Sequence, residues 1–349
     1  VEQRSATLDR PDAASRLNPP IPLSDGALTE LLGRVSRTFA LSNRYLPGPL
    51  RRAMTVAYLL FRVSDYLEDN EVMSREQKVR LLGLWERVLR GRGGEKQLLR
   101  ELEAIDDDNP EADVARRFPE ITGSLAVLGE EEDRAVRARV CETTRGMARR
   151  QLRGPVLETE GELDEYMHDV AGVVGYLITE IFACFDRRLA RRRAAMMGLA
   201  REYGLGLQTV NVIRGLRKDF ARGWVFVPLR YLEETGLSPS QFLVPRNAER
   251  SMEVVRRLAE KAERHLRHGL GYVMEIPRSL HRVRLATMWP LLFAARTLAV
   301  SRENREVILS EAKMSRADVE RIVRRTMLFG WSNRWVARYH EQLLRGDGV

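Results

Sequence analysis

An apolar run that closes on acid constrains this chain more than any other feature. Ala57-Tyr58-Leu59-Leu60-Phe61-Arg62-Val63 reads as a buried helix, and Ser64-Asp65-Tyr66-Leu67-Glu68-Asp69 ends it. Asp65 and Asp69 stand four residues apart, so a helix sets them on one face, a turn from each other. Carboxylates on an apolar wall are costly to desolvate unless a cation meets them. Mg²⁺ suits that position: it takes a few carboxylate oxygens, keeps waters, and completes its shell from a substrate phosphate. The alternative is a solvated helix end with an acidic cap.

A second segment has the same design. Gly204 through Asp219 reads as a helix, apolar first and polar at its end, with Asn211, Gly215 and Asp219 at i, i+4 and i+8 on one face. A turn and a short extended piece follow, from Phe220 to Pro228. Two apolar helices that each end in oxygen ligands predict a bundle with metal held between facing walls.

The rest of the chain fits one helical body. Of its 349 residues, 44% are hydrophobic, enough for one large core, and no linker or repeat divides it. Helical periodicity recurs, as in Leu81-Leu82-Leu84-Trp85-Val88-Leu89 and Met252-Val255-Leu258-Ala262-Leu266, while strand-like alternation is nearly absent. The prediction is a single all-α domain over 23–349. Residues 1–22, polar and with Pro19-Pro20 and Pro22, read as a loose arm without the apolar centre of a signal peptide. Residues 104–113, with Asp106-Asp107-Asp108, read as a solvated acidic connection.

Charge and cysteine content narrow the function classes. The net charge of +9 comes from arginines dispersed among acids, and the clusters Arg187-Arg188 and Arg191-Arg192-Arg193 are short. No nucleic-acid motif accompanies them, so no nucleic-acid partner is expected. A solvated face, or attraction to anionic lipid and phosphate substrates, accounts for the charge. Cys141 and Cys184 are too far apart in sequence to read as a disulfide framework or a zinc pattern. No run reaches the apolar length that spans a bilayer; Met288 to Val300 is about a dozen residues and contains Pro290 and Arg296. A soluble, cytoplasmic protein is expected, with peripheral membrane contact where a substrate or product is greasy.

Five blocks in order carry a resemblance: Ser36-Arg37-Thr38-Phe39-Ala40, Tyr58 through Asp69, Gly146-Met147-Ala148, Tyr166 through Gly175, and Gln208 through Pro228. On these blocks the chain resembles the squalene/phytoene synthase family, and several blocks in order are far more specific than one motif. The resemblance implies an isoprenoid synthase helical bundle with a deep central cavity. It also implies Mg²⁺-dependent use of an allylic prenyl diphosphate donor with a hydrophobic acceptor. On this likeness Asp65 and Asp69 hold metal that bridges to the diphosphate, and Arg37, Arg62 and Arg214 grip phosphate oxygens. Tyr58 and Tyr166 match cavity tyrosines, Phe39 lies in a flexible flap, and Gln208 and Asn211 match polar residues of the second metal helix, where Asn211 and Asp219 would be the ligands. NADPH enters only for a reductive, squalene-type product.

The resemblance also marks departures. The Asp and the Glu it leads one to expect at Gly215 and Lys218 are missing, which leaves Asp219, and Trp224 stands where Arg is usual. Fewer carboxylates recruit fewer metals, and two diphosphates in one cavity need close cationic partners. The expectation is therefore a prenyltransferase that ionises one prenyl diphosphate and passes the cation to an acceptor without a diphosphate. That acceptor would be an aromatic ring stacked on Trp224, with Gly215 leaving room for a water ligand. The alternatives are head-to-head condensation of two farnesyl or geranylgeranyl diphosphates, to squalene, dehydrosqualene or phytoene, and a non-catalytic assembly role. In either reaction the leaving diphosphate needs electrostatic stabilisation and the allyl cation a dry chamber. Tyr58, Tyr166, Tyr176, Phe182 and Trp224 are candidates to line it, and Tyr166, His168 and Asp169 stand near where a base must act.

Overall fold

Capping residues set where the first helices begin. In the computed structural model, which describes residues 21–310 and 312–347, the Ser24 side chain accepts from the Ala27 amide to open α1 (Asp25–Val35). Ser36, in extended backbone, accepts from the Phe39 amide and opens α2 (Arg37–Arg44). The predicted arm lies outside the described residues, apart from Ile21 and Pro22. Helix α3 (Gly48–Asp69) starts behind Pro47 with Pro49 in its first turn, where the missing N–H costs nothing. The apolar run identified above is its second half, and Leu59, Leu60, Val63 and Leu67 are fully buried there.

The chain continues through α4 (Arg75–Leu89), α5 (Glu95–Glu103), α6 (Pro110–Arg116), α7 (Phe118–Gly123) and α8 (Glu130–Arg153). Next come α9 (Glu160–Met167), α10 (Val173–Phe185), α11 (Arg187–Ala221), α12 (Leu229–Glu234), α13 (Ala248–Glu275) and α14 (His281–Arg302). Three further helices, α15 (Glu306–Leu309), α16 (Arg316–Phe329) and α17 (Asn333–Arg345), close the bundle. Among the described residues the only β feature is an isolated bridge between Leu157 and Pro228. The all-α expectation holds.

The 35 residues of α11 make a rod about 52 Å long at 1.5 Å per residue. It packs chiefly along α13 and α10, while α8 packs against α4 and α3. Ser64, next to Asp65, locks α3 in place: its hydroxyl bonds Thr144 of α8 at 2.8 Å and accepts from the Trp85 indole of α4 at 3.1 Å. Between α9 and α10 the chain makes one π-helical turn, His168–Gly172, a local widening that often accompanies function. Two glycines bring α11 against this region. A Cβ on Gly204 would stand 2.4 Å from the Ala171 carbonyl oxygen, and one on Gly175 would stand 2.3 Å from that of Ala200.

One expectation needs correction. Two helical stretches, Glu160–Phe185 and His281–Arg302, are long and apolar enough to cross a membrane by length and composition. From the sequence only Met288 to Val300, with Pro290 and Arg296 inside it, comes into question, yet helical backbone runs through both stretches. In the second stretch 72% of the apolar window is buried inside the protein. In the first, Val170, Val174, Ile178 and Phe182 turn toward an internal chamber.

Candidate active site

Two recesses lie end to end along α3 and α11. The first is an apolar chamber of about 340 Å³. Phe39 and Tyr58 line one side, Val174, Ile178 and Phe182 another, and Leu207, Gln208 and Asn211 a third. Phe39 lies flat on Tyr58, with ring centroids 4.3 Å apart and an interplanar angle of 13°. Burial pushes the Tyr58 hydroxyl above its ordinary range, with Arg62 opposing, so the phenol keeps its proton.

One turn along α3 from Tyr58 the second recess begins, a polar cleft of about 300 Å³. Arg62, Asp65 and Asp69 line it from α3, and Lys218 and Arg222 from the end of α11. Arg62 donates to Asp65 at 2.9 Å and to Glu111 at 3.4 Å. Burial raises the Asp65 carboxyl above the usual range; Arg62 opposes this and Asp69 adds to it. Glu68 is buried behind this face and is pushed well above its ordinary value by burial and by the Asp69 and Asp65 charges. This side of the cleft therefore crowds carboxylates together, as a site for a hard cation requires.

The α11 wall is built differently. The helix ends in a Schellman motif: Gly223, at φ 78°, donates to the Phe220 carbonyl at 3.0 Å, and Trp224 donates to that of Asp219 at 2.9 Å. That turn makes Arg222 the C-cap of the helix, three residues after Asp219. Its guanidinium pairs with Asp219 and reaches across the cleft to Asp69 at 3.0 Å. Asp219 folds back over its own helix, with Oδ2 3.0 Å from where a Gly215 Cβ would be. The space over Gly215 expected to hold a water ligand is thus taken by this carboxylate. Asn211 donates to Gln208 at 3.3 Å and lines the chamber, two turns short of the cleft. Among the described residues no three His, Cys, Asp or Glu side chains converge as a ready metal cluster. Asp65 and Asp69 suit Mg²⁺; on the other wall Asn211 is bonded to Gln208 and Asp219 is paired with Arg222.

A separate aromatic stack joins the end of α9 to the segment that follows α11. Tyr166 at the end of α9 stacks on Phe226 at 4.6 Å and 6°, and Trp224 stacks on Phe226 from Trp224's side at 5.5 Å and 12°. The Tyr166 hydroxyl is held far above its ordinary value by burial and by the charges of Glu68, Asp69, Asp219 and Asp65, which places it within reach of both acidic walls. The phenol therefore keeps its proton there.

A model of the squalene/phytoene synthase family matches residues 32–321. The chain belongs to the squalene/phytoene synthase family. It is 28% identical over 294 residues to the squalene synthase of Homo sapiens, 81% of this chain and 65% of that one. It is 26% identical over 296 residues to the Botryococcus squalene synthase of Botryococcus braunii (84% and 61%). Over 298 residues it is 27% identical to the lycopaoctaene synthase of the same organism (84% and 64%). The chain thus spans a little under two thirds of the length of these relatives. In fold it is similar to a solved structure of TcSQS with the ligand BPH1237, with a TM-score of 0.73 at 23% identity, covering 92% of this chain and 96% of that one.

The residues expected from the sequence of this family member divide into groups. Arg62, Asp65, Asp69, Asp219 and Tyr166 come together at or beside the cleft, and Phe39, Tyr58, Phe182, Gln208 and Asn211 at the chamber. Arg37 is exposed at the start of α2, and Arg214 is half-buried on α11; neither lines either recess. Tyr176 sits under the Arg139 guanidinium, 5.3 Å from its ring centre, away from the chamber. Trp224 does not line the chamber either, and its stack on Phe226 lends the aromatic-acceptor expectation no support. Asp107 is no solvated loop residue: it accepts from Tyr66, Asn70 and Arg116 and forms the cleft's rim. The sequence reading missed Arg222, Phe226 and Asp107. Only the Arg-Gly pair just after α11 could have signalled the first.

Proposed function

We propose that this protein joins two allylic prenyl diphosphates head to head into a hydrocarbon. The carrying observation is that one pair of helices lines an apolar chamber and, a turn or two further on, a charged cleft. A prenyl chain suits the first and its diphosphate the second. The volume of about 340 Å³ falls within the range of roughly 300–1,000 Å³ for small-molecule sites. Squalene synthases and a lycopaoctaene synthase among the relatives support the two-donor form of the reaction.

In this reading Asp65 and Asp69 would hold Mg²⁺, which when bound supplies Lewis-acid stabilisation of the departing diphosphate. Arg62, Lys218 and Arg222 face the same cleft and meet charge as the C–O bond breaks. Tyr166 donates its hydroxyl proton as a hydrogen bond into that field. Phe39, Tyr58 and Phe182 keep water from the carbocation and turn aromatic faces toward it.

The missing carboxylates do not weaken this reading as the sequence suggested. A divalent ion held by two carboxylates brings no net charge to the cleft, whereas Lys218 in place of an acid brings one positive charge directly. The second reading, one ionised donor and an acceptor without a diphosphate, draws on the chamber's small volume. The test is incubation with Mg²⁺ and farnesyl or geranylgeranyl diphosphate alone. A hydrocarbon with twice the donor's carbon count is expected; no condensation product, with one diphosphate bound per chain, would overturn the two-donor form in favour of the second reading.

A further inference from the structure

Arg222 is positioned between the two walls of the cleft rather than on one of them. Its two terminal nitrogens go to carboxylates from different helices, Asp69 of α3 and Asp219 of α11. The guanidinium is mostly buried, with 16% of its side chain exposed, and so is Asp219 at 15%. The Schellman turn at Gly223 fixes the backbone beneath it, so the Asp219 half is a built contact, while Asp69, 63% exposed, meets the guanidinium from the cleft side. Glu68 and Lys78 flank the same spot: Arg222 and Lys78 both bear on Glu68, and Lys78 feels Asp69 and Glu68 in turn.

A forked cation joining oxygens from two facing walls does the work a bridging divalent ion would do there. A metal that took Asp69 and Asp219 as ligands together would have to evict a buried guanidinium and leave it unpaired, which is costly. Gly215 and Lys218 offer no other carboxylate on that wall. Asp65, by contrast, shares only Arg62, and its face opens to the cleft.

We propose that Arg222 is a resident cation that bridges the walls in place of a divalent metal, so that the cleft loads metal on the α3 face alone. Arg222 is then a specificity-determining residue: it sets how many metals accompany the diphosphate, and it meets the diphosphate itself as a fixed donor. The inference rests on the proposed function only in taking this cleft as the diphosphate site.

Mn²⁺ in place of Mg²⁺ gives a readout independent of turnover. The intact protein is titrated with Mn²⁺ in the presence of inorganic pyrophosphate, and free Mn²⁺ is followed by electron paramagnetic resonance. One tightly held Mn²⁺ per chain is expected for the wild type, and one more for Arg222→Gln, which frees Asp69 and Asp219. Arg222→Lys keeps the charge and should stay at one. Two or more Mn²⁺ in the wild type, no gain in Arg222→Gln, or a gain in Arg222→Lys would each overturn the inference and leave the diphosphate reading standing. The wild-type count decides even where a variant fails to fold. No Mn²⁺ bound with pyrophosphate would overturn the diphosphate reading and this inference with it.

Discussion

At the scale of single residues, burial decides the proton state of most groups that matter. Tyr58 and Tyr166 are kept as phenols and His168 as a neutral ring, the last by burial and the Arg201 charge. His340 is the plainest case. It is fully buried on α17, neither ring nitrogen has a partner, and burial lowers its value from 6.5 to about 4. Between those two values the unfolded chain binds a proton that the folded protein refuses, so stability is complete above pH 6.5 and lost as pH falls toward 4. The loss amounts to roughly 3 kcal/mol if no relaxation occurs. Thermal unfolding across this window should show the melting temperature of the wild type falling away from that of His340→Phe as pH drops; parallel curves would contradict it. Asp65, Asp69 and Arg62 were legible because their relation is local, a matter of helical spacing. The Asp69–Arg222 pair was not, because its partners meet only once two distant helix ends face each other.

At the scale of elements, two glycines set the walls. Gly204 and Gly175 let α11 lie close to α10 and its π turn, where backbone carbonyls occupy the space a side chain would need. Gly204→Ala should cost about 1–3 kcal/mol through overpacking. Gly198, on the exposed face of the same helix with nothing near its Cβ position, gives the control. Gly198→Ala should stabilise by about 0.5–1 kcal/mol, the usual gain for alanine over glycine in a helix. Denaturant unfolding of both variants checks the signs; equal effects would mean that the close approach is unimportant. Much of this level was readable, since α3 and α11 end where their apolar runs turn polar. The π turn and the continuity of α14 through Pro290 were not readable, because tertiary packing overrides what local propensity marks as a break.

At the scale of the whole molecule, the fold separates grease from charge along one axis. The chamber is walled by helices whose apolar residues would otherwise face lipid or core, and the cleft gathers its arginines and carboxylates at the ends of α3 and α11. Composition and periodicity implied the helical body, and the ordered motifs implied the family. Which motif residues meet, and which, like Arg37 and Trp224, stand aside, depends on helix orientation that spacing does not encode. The central claim is that chamber and cleft form one prenyl diphosphate site. Its most direct test is a crystal structure of the protein with Mg²⁺ and a non-ionisable farnesyl thiodiphosphate. The account predicts the diphosphate in the cleft against Arg62 and Arg222, and the prenyl chain running past Tyr58 toward Ile178 and Phe182. A diphosphate bound elsewhere, such as among Arg90, Arg92 and Arg145 between α4 and α8, or a chain lying outside the chamber, would contradict it.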